Sequence, residues 1–291
     1  MIVMFIVSLV CVLDFDILYD QATTGLVNYQ ALKDSAVATF VALGRDSSTG
    51  DTVVSFLVSK FDTKSAAGRH TLKNILTEIG EVAIEEIVLH LDNRGSDAEA
   101  RALKQCLWVL GEIGGEQIVA PVARFINDTE WSVRSGAFTA LGKSVSRTAL
   151  PYVCEGLNDT VAPVRKSAYC ALAEIATERE VADLVEGLDD PFYGVRYAAL
   201  SGLRRVGCGL SCLGHLRADD LKDYFSLSLI TASDTIPGFD DLIWSSPPSI
   251  RKAIYGRLSK EEMLVVLKRE DHPLLIKYLQ KRIAETDSTE Q

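Results

Sequence analysis

Three turns of this chain are nearly the same turn. They read Asn127-Asp128-Thr129-Glu130-Trp131-Ser132-Val133-Arg134, Asn158-Asp159-Thr160-Val161-Ala162-Pro163-Val164-Arg165 and Asp189-Asp190-Pro191-Phe192-Tyr193-Gly194-Val195-Arg196. Each leads into a helix of small residues that ends on a leucine, and Leu141, Leu172 and Leu203 follow one another at 31 residues. A fixed period of that size means stacked units, each too small to bury its apolar face alone. Leu110 lies 31 residues before Leu141 and Leu76 lies 34 before Leu110, so an insertion is expected near Asn93-Arg94-Gly95-Ser96.

Between these helices runs a second set. Ile84, Ile87, Val88 and Leu91 keep the i, i+3, i+4, i+7 spacing of a helix with one buried side, as do Val119, Val122, Ala123 and Ile126. Leu150, Val153, Cys154, Leu157 and Val181, Leu184, Val185, Leu188 repeat it. Ala137, Ala140, Ala168, Ala171 and Ala199 on the second helices allow close helix approach. Proline stands near helix starts at 151, 163 and 191, where its missing N–H costs nothing. Helices are also expected over Asp14 to Gly25, over Asn28 to Leu43, and from Asp51, read as a cap, to Phe61. The expected fold is all-α, a right-handed solenoid of stacked antiparallel helix pairs. Residues 1–50 would hold an apolar segment and capping helices, 51–207 the repeats, 208–248 a divergent repeat, and 249–291 a last repeat and a polar tail from Glu285.

Composition narrows function by exclusion. The formal charge of −10 opposes general affinity for nucleic acid or anionic lipid. The six cysteines form no recurring ladder, which favours a reducing, cytoplasmic compartment over a disulfide framework. Asn127-Asp-Thr and Asn158-Asp-Thr match the glycosylation pattern only because the turn repeats. Met1 to Leu13 is almost wholly apolar, but lacks a basic start and a small-residue cleavage site, and is shorter than the ~20 residues of a spanning helix. A buried element covering the first repeat is expected there, and no membrane partner. Cys208, Cys212 and His215 are the one metal-like cluster; they supply three ligands where zinc favours four, so neither a metal nor a cofactor is expected. No phosphate loop or nucleophile–base arrangement stands out.

Leu-x-Asp, a short spacer, Val-Arg and Ala-x-x-Ala-Leu-Gly/Ala together resemble the HEAT-repeat family, and within it the short HEAT-like repeats also found in bilin lyases. The likeness is close over 81–207 and weaker over 30–80 and 249–284. It implies that Asp128/Arg134, Asp159/Arg165 and Asp190/Arg196 form a hydrogen-bonded ladder between repeats, with Asp271/Lys277 a weakened end member. Some HEAT-like proteins are di-iron hydroxylases using His-Glu pairs. None of the four histidines here precedes a glutamate, so that activity is not expected.

With each ladder Arg as position zero, and Leu103 as zero in the repeat of Leu110, the apolar anchors fall at −1, +3, +7 and +10. Positions +1, +5 and +9 then point the opposite way. The resemblance implies that these helices line the concave side. The +1 row is His70, Lys104, Ser135, Lys166 and Tyr197; +5 is Asn74, Trp108, Thr139, Cys170 and Ser201; +9 is Glu78, Glu112, Lys143, Glu174 and Arg205. Leu107, Phe138, Tyr169 and Leu200 flank them at +4. The candidate contact residues for a protein or peptide partner are Lys104, Trp108, Glu112, Phe138, Lys166, Tyr169, Glu174 and Tyr197, aromatic groups being common binding anchors. The expected function is a non-enzymatic interaction scaffold. The alternatives are a bilin-lyase-like subunit acting on a tetrapyrrole–protein adduct and a nucleic-acid-binding HEAT-like protein. The latter needs a basic face that the mixed rows do not supply.

Overall fold

The computed structural model describes residues 14–92, 94, 100–207, 248–256 and 258–289. Its described residues form helices and no strand. The expectations for Met1 to Leu13, for the cluster of Cys208, Cys212 and His215, and for nearly all of the divergent repeat lie outside them. The chain divides into two compact units with the boundary between Ala171 and Leu172.

The first unit contains α1 (Phe15–Thr23), α2 (Gln30–Arg45), α3 (Gly50–Ser59), α4 (Ala66–Ile79), α5 (Ile84–Leu89), α6 (Arg101–Ile113), α7 (Val119–Ala123), α8 (Trp131–Lys143), α9 (Leu150–Gly156) and most of α10 (Ala162–Ile175). From α3 onward these are the helix pairs of an α-solenoid. After α3, each first helix enters through a 3-10 turn, as at Glu81–Ala83, Glu116–Ile118 and Arg147–Ala149. The longer second helices stack in sequence, α2 on α4, α4 on α6 and α6 on α8. Leu76, Leu110 and Leu141 are completely buried, as are Ile87, Val122 and Val153 opposite them. A buried side chain of this size contributes about 1.5–3 kcal/mol, so the seam between the two helix layers carries most of the stability.

Small residues set how closely the second helices stack. A Cβ on Gly111 would lie 2.9 Å from the Cα of Ala140, and one on Gly142 would lie 2.6 Å from the Cα of Ala171. Each glycine is at +8 of one repeat and each alanine at +6 of the next. Gly80 and Gly114 end α4 and α6 with φ of 84° and 74°, a conformation that costs a side-chain-bearing residue more. Ser65 caps α4 by accepting from the Gly68 N–H at 3.0 Å. Asp51, expected as a cap, instead lies in the first turn of α3, after Thr49.

The second unit contains the end of α10, α11 (Val181–Glu186), α12 (Tyr193–Arg205), α13 (Pro248–Tyr255), α14 (Lys260–Leu267) and α15 (Pro273–Thr289). Leu172, Leu184, Leu188 and Leu203 are buried. The small-residue junction appears again, a Cβ on Gly202 falling 3.2 Å from the Cα of Ala173. The polar stretch from Glu285, expected as a tail, continues α15 to Thr289.

Candidate functional site

The exposed face of the second helices is built by helical phase. In the first unit, His70, Asn74 and Glu78 on α4, Trp108 and Glu112 on α6, Thr139 and Lys143 on α8, and Lys166 and Cys170 on α10 are all exposed, while Lys104 and Ser135 are half-buried. In the second unit Glu174, Tyr197, Ser201 and Arg205 are exposed. The exposed arc and the apolar anchors thus occupy opposite sides of each helix.

Trp108 is 36% exposed, and its ring is partly roofed by cations. The Lys73 ammonium lies 4.1 Å from the ring centroid and that of Lys143 5.6 Å away. Lys143 also pairs with the Glu112 carboxylate one turn beyond the indole. Burial, and then the neighbouring Arg69, hold the Lys73 pKa below the ordinary lysine value against the pull of Glu112. Lys73 sits at +4 of its repeat, a position that is apolar in the repeats that follow. Sequence reasoning missed it; the signal was a lysine in an otherwise aromatic and aliphatic row.

The +9 positions stitch neighbouring helices together. Arg45 donates to the Glu78 carbonyl, Lys143 to the Glu112 carboxylate, and in the second unit Arg205 to the Glu174 carbonyl. The lysines nearer the helix starts are differently placed. Lys104 has only a 3.3 Å contact to the Ser132 hydroxyl. Among the described residues, none of Lys73, Lys104 or Lys166 has a carboxylate at ion-pair distance.

Phe138 and Tyr169 require a correction. They are 1% and 5% exposed, so neither contributes to a contact surface. The +4 direction lies about 60° from both the +7 anchor and the +1 edge of the open arc, so the neighbouring element decides its burial. The Phe138 ring lies under α9, where a Cβ on Gly156 would come within 2.2 Å of it.

The turns carry a hydrogen-bonded ladder. Arg134 donates to both Asp159 carboxylate oxygens, Nε to Oδ2 at 2.7 Å and Nη2 to Oδ1 at 3.0 Å, and Nη1 reaches its own turn at the Asp128 carbonyl at 2.8 Å. Arg165 and Arg196 reach the carbonyls of Asp159 and Asp190 in the same way, at 2.8 and 2.9 Å. Each aspartate also accepts from the N–H two residues on, Glu130, Val161 and Phe192 at 2.7–2.8 Å. The Arg134 hydrogen bond holds the Asp159 carboxyl below the usual aspartate range, and with burial opposing it the Val161 N–H and both arginines add to the effect.

Two rungs are disguised in the sequence. Arg69 donates to the Thr63 carbonyl at 2.6 Å and Ser65 N–H meets the Thr63 hydroxyl at 3.3 Å, so Thr63 stands where later repeats have aspartate. In the repeat lacking an arginine at position zero, Arg94 reaches the Asp128 carboxylate from the inserted segment.

The expected end member Asp271/Lys277 is also corrected. Glu270, not Asp271, is the buried carboxylate, and the Asp271 side chain is 95% exposed. Arg251 binds Glu270 through Nε at 3.1 Å and Nη2 at 3.0 Å, the Tyr255 hydroxyl donates to it, and the N–H groups of Asp271 and His272 complete it at 3.1 and 2.8 Å. One extra methylene lets a glutamate placed one residue earlier take the aspartate's role. Ile276, six residues on, has no guanidinium with which to continue the ladder.

One further polar cluster contains Ser55, Glu86 and His90. The Ser55 hydroxyl and the Glu86 carboxylate approach the same atom, His90 Nε2, at 2.9 and 3.2 Å. A proton relay needs the two partners on different ring nitrogens, so this is not a nucleophile–base–acid line. Nearby, burial pushes the Cys106 thiol up to about 12, the opposite of an activated nucleophile. No group of three or more His, Cys, Asp or Glu among the described residues could hold a metal, and none of their helices is long and apolar enough to cross a membrane.

Residues 84–173 match the family model for HEAT repeats. Among curated proteins nothing matches this chain. Among solved structures, a designed armadillo repeat protein in complex with the peptide (KR)4 shares 18% identity at a TM-score of 0.37, the match covering 65% of this chain and 98% of that one. An engineered protein shares 17% at 0.41, over 92% of this chain and 82% of its own. The nearly identical turns and the ladder they carry agree with the family match, and over residues 84–173 the chain is similar to HEAT repeats.

Proposed function

We propose that this chain is a non-enzymatic scaffold that binds a protein or peptide partner on the exposed rows of its second helices, centred in the first unit on α6. The observation that supports this most directly is Trp108. The ring stands on the side of α6 away from the buried anchor Leu110, is 36% exposed, and has the ammonium groups of Lys73 and Lys143 near it. Aromatic residues with a fixed ring plane and one open side make effective contact anchors, because little rotamer entropy is left to lose. Lys104, Glu112 and Lys166, on the same +1 and +9 rows, supply polar contacts along the face, and the buried Phe138 and Tyr169 take no part in it.

The test is affinity capture with the wild-type chain and Trp108→Ala, followed by a measured Kd for a protein lost by the variant. Trp108→Ala should weaken that complex by about 2 kcal/mol or more. Its thermal midpoint should fall less than for a Leu110→Ala control, since a fully buried leucine costs about 2–5 kcal/mol on truncation. Equal capture by both chains, or equal destabilisation by both substitutions, would leave Trp108 a packing residue and remove the basis of the reading.

A further inference from the structure

We infer that the partner segment received by the α4–α10 face of the first unit is an acidic peptide, rich in Asp and Glu around an apolar residue that rests on Trp108. This deepens the scaffold reading above and rests on it.

The charges on this face sort into two classes. Along the +9 row the cations are engaged internally, Lys143 by the Glu112 carboxylate and Arg45 by the Glu78 carbonyl. Away from that row they are not: among the described residues Lys73, Lys104 and the exposed Lys166 of α10 have no carboxylate within ion-pair distance. A chain with formal charge −10 has ample carboxylate with which to pair its lysines. Three ammonium groups on one face without a close carboxylate therefore run against the balance of the molecule, and they favour negative charge beside them. Such a field attracts a carboxylate-bearing segment and orients it.

The tryptophan makes the site more than a charge patch. Lys73 lies over the ring at 4.1 Å, so its ammonium is presented at the edge of an apolar surface and not in open water. A cation over an aromatic face is attracted by about 0.5–1 kcal/mol when exposed. A carboxylate brought to Lys73 places its own chain against the indole, and Lys104, on the same helix one turn earlier, meets the next acidic side chain. Lys166 extends the line two helices further. Glu78 and Glu112 border the face on its +9 side, where a basic peptide would find carboxylate already engaged by Lys143 or standing alone at one end.

The probes are three labelled octapeptides with a central Phe, one otherwise of Glu and Asp, one of Lys and Arg, and one of Ser and Gly, together with an oligothymidylate of matched charge. Binding to the full chain is followed by fluorescence anisotropy at low and at physiological salt. The acidic peptide should bind about tenfold or more tighter than the neutral one, and more weakly as salt rises. Lys104→Glu/Lys166→Glu should remove that preference. Lys64→Glu/Lys268→Glu, an equal charge change at two exposed sites elsewhere, should keep it, with circular dichroism confirming that both variants are folded. Trp108→Ala should weaken the acidic peptide and leave its salt dependence in place. The inference is overturned if the acidic peptide binds no tighter than the neutral one, if both double variants lose binding equally, or if oligothymidylate binds as tightly as the peptide. If the acidic peptide fails while Trp108→Ala still abolishes capture of a cellular partner, the acidic chemistry falls and the scaffold reading stands. If both fail, both fall.

Discussion

Arg134 joins two repeats with one side chain, touching the Asp128 carbonyl of its own turn and the Asp159 carboxylate of the next. Its side chain is 14% exposed and that of Asp159 12%, so the pair is largely removed from water. Removing one partner of such a pair costs about 3–5 kcal/mol when burial is complete and less where water reaches the orphan. Arg134→Ala should therefore lower the denaturant midpoint well beyond Arg204→Ala, an exposed arginine expected to stay within about 0.5 kcal/mol. The sign of the acid response follows from the lowered pKa of Asp159. Its contribution is full above the unfolded aspartate value of about 3.9 and is lost as pH falls through the lower folded value. The stability gap between wild type and Asp159→Asn should be constant near neutral pH and close in acid; a gap that widens in acid would refute this linkage. The pattern Asp-x5-Arg made the three central turns legible in the sequence. Thr63, Arg94 and Glu270 were not legible. Each supplies the same oxygen or guanidinium from a different residue or position, and a motif records residue types where the fold requires only atoms in place.

At the level of elements, phase was more informative than boundaries. A helix turning 100° per residue separates Leu110 from Trp108 by more than half a circle, and the structure has the first buried and the second exposed. The same arithmetic leaves +4 at the margin, where only the neighbouring element decides, and α9 decides it by closing over Phe138. Three junctions between adjacent second helices close on one small pair, Gly111 with Ala140, Gly142 with Ala171 and Ala173 with Gly202. Gly142 against Ala171 is the tightest, with a Cβ only 2.6 Å from backbone. Since backbone gives way less readily than the far end of a side chain, Gly142→Ala should cost about 1–3 kcal/mol despite alanine's better helix propensity. Gly136→Ala, in the same helix with its nearest neighbour 3.8 Å away, should instead be neutral or stabilising. Thermal melts of the two variants make the comparison, and equal midpoints would mean that the junction relaxes freely.

For the molecule as a whole, stacked repeats make stability a sum over neighbouring contacts and not the property of one core. The two compact units each contain an arginine–carboxylate bridge, the part-buried Arg134–Asp159 in the first and the buried Arg251–Glu270 in the second. Glu270 is the more completely enclosed. Burial alone would raise its pKa, but the Tyr255 hydroxyl, the His272 N–H and Arg251 outweigh it and hold the carboxyl below the ordinary glutamate value. Burial and the adjacent carboxylate push the Tyr255 hydroxyl up, so it remains a donor at neutral pH. Truncating Glu270→Ala removes the acceptor shared by the Arg251 guanidinium, the Tyr255 hydroxyl and two N–H groups, a loss of about 3–5 kcal/mol. If stability is summed locally, that loss should remain in the second unit. Hydrogen exchange should accelerate across 260–286 while amides of α6 and α8 keep their protection. Gly142→Ala should produce the opposite pattern, and its protection loss should centre on α8 and α9. Uniform acceleration along the whole chain in either variant would show a single cooperative block, and the nearest-neighbour account of this solenoid would have to be abandoned.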